Sequence, residues 1–385
     1  MNQTDLIPGL ALGSPLRAMP FALSYLLIPI MIYTALNGGW WLLLPVLATF
    51  GAFAALDTLL GIDPVNSDTE TDDDKLIWHR YVVLGWVPLA LMLTAWMVWY
   101  VPQASHLAWY EKIIMFFNVG LANGAVGIVY AHELMHQKNK LERWAGDLLM
   151  ALVGYGHFRT EHLLVHHRYI GTPRDGVTAR YNENFHKFFL RVLVHGFSSA
   201  WRAEKQMLGR KNLPALHSSN PHWRYWGLQL GMMIIAVLLG GVVGVLLWLY
   251  QALVAIWYLE LINYVEHYGL IRKHLGEGKY EHVLPRHSWN SAHMASNWLL
   301  INLQRHSDHH YKPDRRYPLL QTYREEEAPA LPSGYPVIAA AALIPPLWFR
   351  MMNPRVQKWR KMYYPEINDW GPYKRGETPM PRGAS

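Results

Sequence analysis

Cysteine is absent from the 385 residues. The chain therefore has no disulfide, zinc-thiolate site, thiol nucleophile, thiolate-ligated haem or iron–sulfur centre of its own. Charge is scarce as well: Asp, Glu, Lys and Arg together make up 16% of the residues, well below the ~25% usual for soluble domains. Glycine (29) and proline (24) are too few for a collagen-like or low-complexity chain. No internal repeat is present. The net charge is +7 with histidine neutral.

The chain does contain long apolar blocks. Residues 20–36, 40–56, 81–101 and 113–130 carry no charge, and a further uncharged run extends from Tyr225 to Leu259. A membrane span needs ~20 residues to cross ~30 Å of hydrocarbon. The last run therefore fits two spans, with Gly240, Gly241 and Gly244 marking the bend. The pattern predicts six transmembrane helices, near 20–37, 40–60, 80–101, 112–131, 225–244 and 245–266. So many apolar blocks exceed what the core of a soluble α protein supplies. The first is not a cleavable signal, because it lacks a strongly basic start and a second span follows at once. A metal transporter would want ionisable residues in mid-span, and these spans offer essentially none.

Lys and Arg set the orientation. The links near 37–40, 101–110 and 240–244 have none, and Lys112 is the only basic residue near that face. Both termini and the segments 132–224 and 267–320 are thus expected on the cytoplasmic side. The expected fold is all-α: a six-span integral membrane bundle with a cytoplasmic helical cap carrying a histidine-rich dimetal site. Residues 1–350 form one catalytic domain, and 351–385 a cytoplasmic tail read as loop. Residues 336–349, broken by Pro345–Pro346, read as an interfacial or re-entrant helix. The acidic loop 61–80 reads as a solvated connector, since its spacing does not suit calcium. Gly120 and Gly124 form a GxxxG that would let the fourth span pack closely. The basic charge follows membrane topology, so nucleic acid is not an expected partner.

Twenty histidines occur. Nine of them fall in four groups at or beyond the cytoplasmic ends of spans: His132 and His136; His162, His166 and His167; His267; and His306, His309 and His310. Imidazoles at i and i+4 share a helix face and can reach one metal. On α-helical geometry His162 and His166 share a face, and His167 points ~100° away toward a second ion. His306 pairs with His310, and His309 lies between them on the same side. Nine imidazoles are too many for one ion, so two ions are expected. Imidazole suits Zn, Cu, Fe and Ni alike. Ligating histidines usually give their other N–H to a carboxylate or carbonyl. Glu133, Glu161, Glu266, Asp175 and Asp308 are the nearest candidates, with His287 and Asn290 as further supporting residues. His157 and His293 also lie near the groups and are expected to support them or to do nothing, and the remaining histidines are expected to be bland.

His132–His136 also matches H-E-x-x-H, in which Glu133 would be the general base of an intramembrane metalloprotease. That reading leaves the remaining histidines unexplained.

The groups HELMHQK (132–138), EHLLVHHR (161–168) and LQRHSDHH (303–310) resemble the three histidine boxes of the membrane fatty-acid desaturase and hydroxylase superfamily. With NYVEHYGL (263–270) and HSWNS (287–291), the resemblance narrows to the bacterial membrane alkane 1-monooxygenase family and covers about residues 20–320. It implies a non-haem diiron enzyme of the inner membrane, with its active site on the cytoplasmic side. Such an enzyme uses O₂ and two electrons to hydroxylate the terminal methyl of medium-chain n-alkanes. The nine histidines would be the iron ligands. A fused rubredoxin needs four cysteines, so electrons would come from a separate rubredoxin served by a rubredoxin reductase. A fatty-acid ω-hydroxylase, a desaturase or a xylene-type methyl monooxygenase would keep similar boxes.

An n-alkane has no polar handle, so its site must be an apolar slot among the spans, opening to membrane lipids, with each methylene worth ~1 kcal/mol. Phe50, Phe53, Leu56, Met115, Phe116, Leu121 and Ile128 are candidates for its wall. Arg159, Arg168, Arg174, Arg305, Arg315 and Arg316 lie near the histidines in sequence and could dock an acidic electron carrier or rest on anionic headgroups.

Overall fold

A computed structural model describes residues 11–382, so the chain ends expected on the cytoplasmic side fall outside the described residues. Four apolar helices come first: α1 (Pro15–Asn37), α2 (Gly39–Leu60), α3 (Asp73–Gln103) and α4 (Trp109–His136). The shorter helices α5 (Lys140–Leu152), α6 (158–169) and α7 (Phe185–Gly209) follow. They lead to α8 (His222–His267), the longest apolar helix. A two-stranded hairpin at His274–Gly276 and Lys279–Tyr280 precedes the short helix α9 (His306–Tyr311). Two helices, α10 (Tyr335–Ala342) and α11 (Pro345–Tyr363), close the described chain, apart from a final turn.

The five apolar helices become six limbs because α8 is folded. Gly241 holds φ 59° and ψ −150°, a backbone state that side chains strongly disfavour. A Cβ placed on Gly244 would lie 2.8 Å from the Ala236 carbonyl oxygen. Residues eight apart in a straight helix are ~12 Å distant, so the chain turns sharply there, as the glycines predicted.

The central span is α4: 83% of its apolar window is buried, against 17% for α8. The GxxxG explains the close approach. A Cβ on Gly120 would sit 2.5 Å from the Gln251 carbonyl oxygen, and one on Gly124 would sit 3.0 Å from that of Ala255. Polar side chains are matched inside this seam. The Asn123 amide donates to Gln251 Oε1 (3.0 Å), and the Gln251 amide donates to the Leu152 carbonyl (2.9 Å).

Local capping defines the cap helices. Asn139 Oδ1 accepts from Leu141 N–H (2.8 Å) and opens α5. Asn184 Oδ1 accepts from Lys187 N–H (3.0 Å) and opens α7.

Three expectations change. The acidic loop is not a free connector. Arg305 binds Asp63 Oδ2 (3.2 Å), the Thr322 N–H donates to Asn66 Oδ1 (2.7 Å), and Arg316 pairs with Asp73. Its carboxylates thereby strap the loop to the segment bearing α9. The chain after 351 is loop only in part: α11 runs unbroken across 350/351 to Tyr363, and Trp348, Met352, Val356 and Trp359 bury one of its faces in the main core, while most of 364–382 is non-helical. Pro345 and Pro346 start this helix rather than interrupt it, as prolines in a first helical turn do. Helices α10 and α11 meet at 118°. At eight residues α10 is too short to cross a bilayer, and it packs into the core.

Candidate metal centre

The last turn of α4, helix α6, the end of α8 and helix α9 deliver the nine histidines to one place in two adjoining groups. His132, His136, His162, His167 and His309 form one group, and His166, His267, His306 and His310 the other. Within each group the ring nitrogens lie within 4.8 Å of one another. In the first, Nε2 of His162 is 3.0 Å from that of His136 and 2.9 Å from that of His167, and His309 is 3.1 Å from His167. In the second, His310 is 2.9 Å from His306 and 3.2 Å from His166, and His306 is 3.2 Å from His267. The rings of His167 and His310 are 4.5 Å apart across the boundary.

The expected pairing within two of the boxes is corrected. His162 shares its group with His167, not His166, because residues Glu161–His166 form a π-helix. Its i to i+5 repeat lines up His162 with His167 and sends His166 to the other side. On α9, His306 and His310 join one group while His309 faces the other. Positions 309 and 310 straddle the face of 306, so each HH pair bridges the two groups. His132 and His136 stay together, as i and i+4 require. Among the described residues, none of the other eleven histidines joins either group.

The donor set fits two cations. A neutral imidazole has one N–H and one lone pair, so crowded Nε2 atoms cannot satisfy one another. Imidazoles bound ~2.1 Å from one ion at right angles stand ~3.0 Å apart, close to the spacing seen here. Burial, then neighbouring imidazoles, push His162, His167, His309 and His310 well below the usual histidine range, which keeps their lone pairs free.

The carboxylates divide clearly. Asp175 accepts from His166 Nδ1 (3.1 Å) and from the Thr178 hydroxyl (2.6 Å). Burial alone would raise its carboxyl, but the imidazole and Thr178 hold it down at about 2. Glu266 Oε2 lies 3.2 Å from His306 Nε2, on the inward side of that ring, and the Tyr335 hydroxyl donates to its other oxygen (2.9 Å). Asp308 faces away from the cage. It receives Arg315 (2.7 Å), the Tyr323 hydroxyl (2.6 Å) and the Gln321 N–H (3.0 Å). Glu133 accepts from the Gln137 amide (2.9 Å) and bonds none of the imidazoles, so the base of the protease reading is turned elsewhere. Glu161 is buried with Oε1 unpartnered, and burial and then Asp175 push its carboxyl well up.

His287 lies outside both groups and holds Glu281 (3.2 Å) and Tyr364 (2.8 Å). Asn290 works at one remove: its Oδ1 accepts from Ser307 N–H (2.8 Å), which pins the start of α9 beside His306. Glu260 was missed. It is the first charge after the apolar run, two turns before His267 on the same helical face. It binds Tyr155 and Asn263, each at 3.1 Å.

The seven apolar wall candidates part company. Met115 and Phe116 pack with Met97, Val98 and Trp248, while Phe53, Leu121 and Ile128 belong to the main core, with Phe50 and Leu56 against it. Buried on nearly all sides, α4 spends its apolar residues on packing. An apolar cavity of ≈300 Å³ lies instead between α3 and α8, bordered by Leu91, Val98, Met232, Ala236 and Trp248.

The fatty acid desaturase family matches residues 107–341. An alkane 1-monooxygenase of Pseudomonas aeruginosa is 37% identical over 326 residues, covering 84% of this chain and 85% of that protein. The chain belongs to the fatty acid desaturase family, in its alkane 1-monooxygenase branch. An alkane 1-monooxygenase of Alcanivorax borkumensis is 36% identical, covering 88% of this chain and 90% of the relative. The branch is not isolated: the hydroxylase component of a xylene/toluene monooxygenase of Pseudomonas putida is 28% identical, covering 89% of this chain and 90% of that protein. The family match spans α4 to α10 and so contains all nine histidines. The chain is a multi-pass membrane protein, as its apolar helices require.

Proposed function

We propose that the protein is an alkane 1-monooxygenase that converts a medium-chain n-alkane to the 1-alkanol. The balance is RH + O₂ + 2e⁻ + 2H⁺ → ROH + H₂O. The observation that carries this reading is the pair of abutting imidazole groups at the ends of apolar spans. The five-histidine group would hold one iron and the four-histidine group the other. When bound, the irons supply the activation of O₂.

The protein's own residues do the rest. Asp175 fixes the His166 ring with Nδ1 protonated and Nε2 turned inward. Asn290 and the Asp308–Arg315 pair hold α9 in register. The spans provide a water-poor setting that suits a substrate with no polar group and positions its terminal carbon by shape. The cavity between α3 and α8 is a candidate entry from lipid.

The electrons would come from a separate acidic carrier, a rubredoxin kept reduced by its reductase, on the cytoplasmic side of the inner membrane. Of the six arginines considered, four are neutralised: Arg159 by Asp147, Arg305 by Asp63, Arg315 by Asp308 and Arg316 by Asp73 and Glu142. Arg168 and Arg174 flank Tyr169 with no carboxylate partner among the described residues. Arg168 directly follows His167, one of the two partly exposed histidines of the cage, and this surface is where the carrier would dock.

The test uses purified protein in lipid discs. Metals are counted per chain, and octane, O₂ and a reduced rubredoxin system are supplied. Two irons with 1-octanol formed is the expected result. Two irons without 1-octanol would move the substrate to fatty acyl chains or aromatic methyl groups. A single zinc would overturn the proposal.

A further inference from the structure

Arg360, on α11, is 9% exposed, and no carboxylate meets it among the described residues. Its guanidinium carbon lies 4.4 Å from the ring centres of both Tyr181 and Trp370, and its Nε has no hydrogen-bond partner. The side chain forms part of the wall of a cavity of ≈100 Å³ between the 171–181 segment, Gly269 and the C-terminal turn. Two exposed cations stand at the same cavity, Arg180 and Lys374, and the side chain of neither forms an ion pair with a carboxylate among the described residues, although the Arg180 backbone N–H donates to Glu183 Oε2 (2.9 Å). The Lys374 ammonium lies 5.2 Å from the Tyr181 ring.

The other charges nearby are already committed, the fourth cation Arg191 and the carboxylates Glu183 and Asp175 alike. Arg191 is taken up by Glu183 (2.8 Å) and by the carbonyls of Gly176 and Thr178. Asp175, also in the wall, is turned to His166 and Thr178. The cavity therefore keeps a surplus of positive charge with one cation at its floor and two at its mouth.

A buried cation without a counter-ion is costly, and aromatic faces offset only part of that cost. The planar fork of arginine suits a tetrahedral oxyanion. We infer that this cavity binds a phosphate-type oxyanion, as free phosphate or as the headgroup of an anionic lipid, between Arg360, Arg180 and Lys374. Occupancy would clamp the C-terminal turn to the segment that carries Asp175. This site is independent of the metal-centre reading.

The experiment uses the full-length protein in a neutral detergent, titrated calorimetrically with sodium phosphate against sodium chloride at matched ionic strength. A second arm uses short-chain phosphatidic acid. Saturable binding of either ligand is expected. Arg360→Gln should weaken it roughly tenfold or more, the scale of one lost charge-assisted contact. Lys374→Ala, at an exposed position that leaves the fold intact, should weaken it severalfold. Binding of free phosphate identifies a soluble oxyanion, and binding of phosphatidic acid alone identifies a headgroup. If neither ligand binds more tightly than chloride, or if the Lys374 variant and a folded Arg360 variant both bind like the parent, the site does not exist.

Discussion

His162 and His167 lie five residues apart, and their Nε2 atoms are 2.9 Å from each other. An α-helix cannot bring i and i+5 together on one face, whereas the π-turn over Glu161–His166 does. The extra residue in that turn decides which imidazoles share a group.

The division into five and four predicts separable losses. His136→Ala should empty the five-histidine group and leave the other filled, and His310→Ala should do the reverse. Bound metal should fall from about two ions per chain to about one in each, with turnover abolished in both. Elemental analysis of the purified variants decides this. Two ions retained by the His310 variant would refute the assignment.

Asp175 is buried and orients His166. Asp175→Asn keeps the shape but weakens the acceptor. Metal affinity at the four-histidine group should fall about 10- to 100-fold, read by competition with a chelator. A variant that holds its metal as tightly as the parent would remove Asp175 from the centre.

Glu281 receives His287 and Tyr364 and takes the Lys273 N–H at 2.7 Å and Arg286 at 2.6 Å. Burial alone would raise this carboxyl, yet the bonds from His287, Lys273 and Tyr364 outweigh it and hold it at about 2. A carboxyl held below its unfolded value adds stability above that value and loses it as pH falls toward the folded one. The parent should therefore exceed Glu281→Gln by about 2 kcal/mol at neutral pH. The gap should close between about pH 4.5 and pH 2. Thermal midpoints measured across that range would show it, and a gap independent of pH would contradict the assignment.

Gly120→Ala places a methyl 2.5 Å from the Gln251 carbonyl oxygen and 2.6 Å from Val254 Cβ. Forcing α4 from α8 should cost about 1–3 kcal/mol and lower the thermal midpoint. Gly124→Ala, with its nearest neighbour at 3.0 Å, should cost less. Equal stability of parent and Gly120→Ala would mean that the two spans are not in tight contact.

The spans, the bend at Gly241 and all nine histidines were legible, because long uncharged runs and clustered imidazoles are local patterns. Which histidine joins which group was not, since it turns on the π-turn in α6. The strap from Asp63 to Arg305 was also hidden, because its partners are some 240 residues apart and an acidic loop looks solvated whether or not something holds it. The helix that runs across 350/351 was hidden for a related reason. The Pro345–Pro346 pair reads equally as an end or a beginning, and only the burial of Trp348 and Met352 shows that α11 belongs to the core. Asp308 was misjudged by proximity in sequence: lying between His306 and His309, it points the other way, to Arg315.

Both groups draw on α9, at the far end of the histidine-bearing sequence. A ribosome that has finished α4 and α6 has released five imidazoles with no closed site to enter. Neither group is complete until α9, with His309 for one and His306 and His310 for the other, has emerged and docked against spans made long before. Docking of α9 is therefore the step that completes the site, and a chain truncated before α9 would carry every apolar span and no complete histidine group.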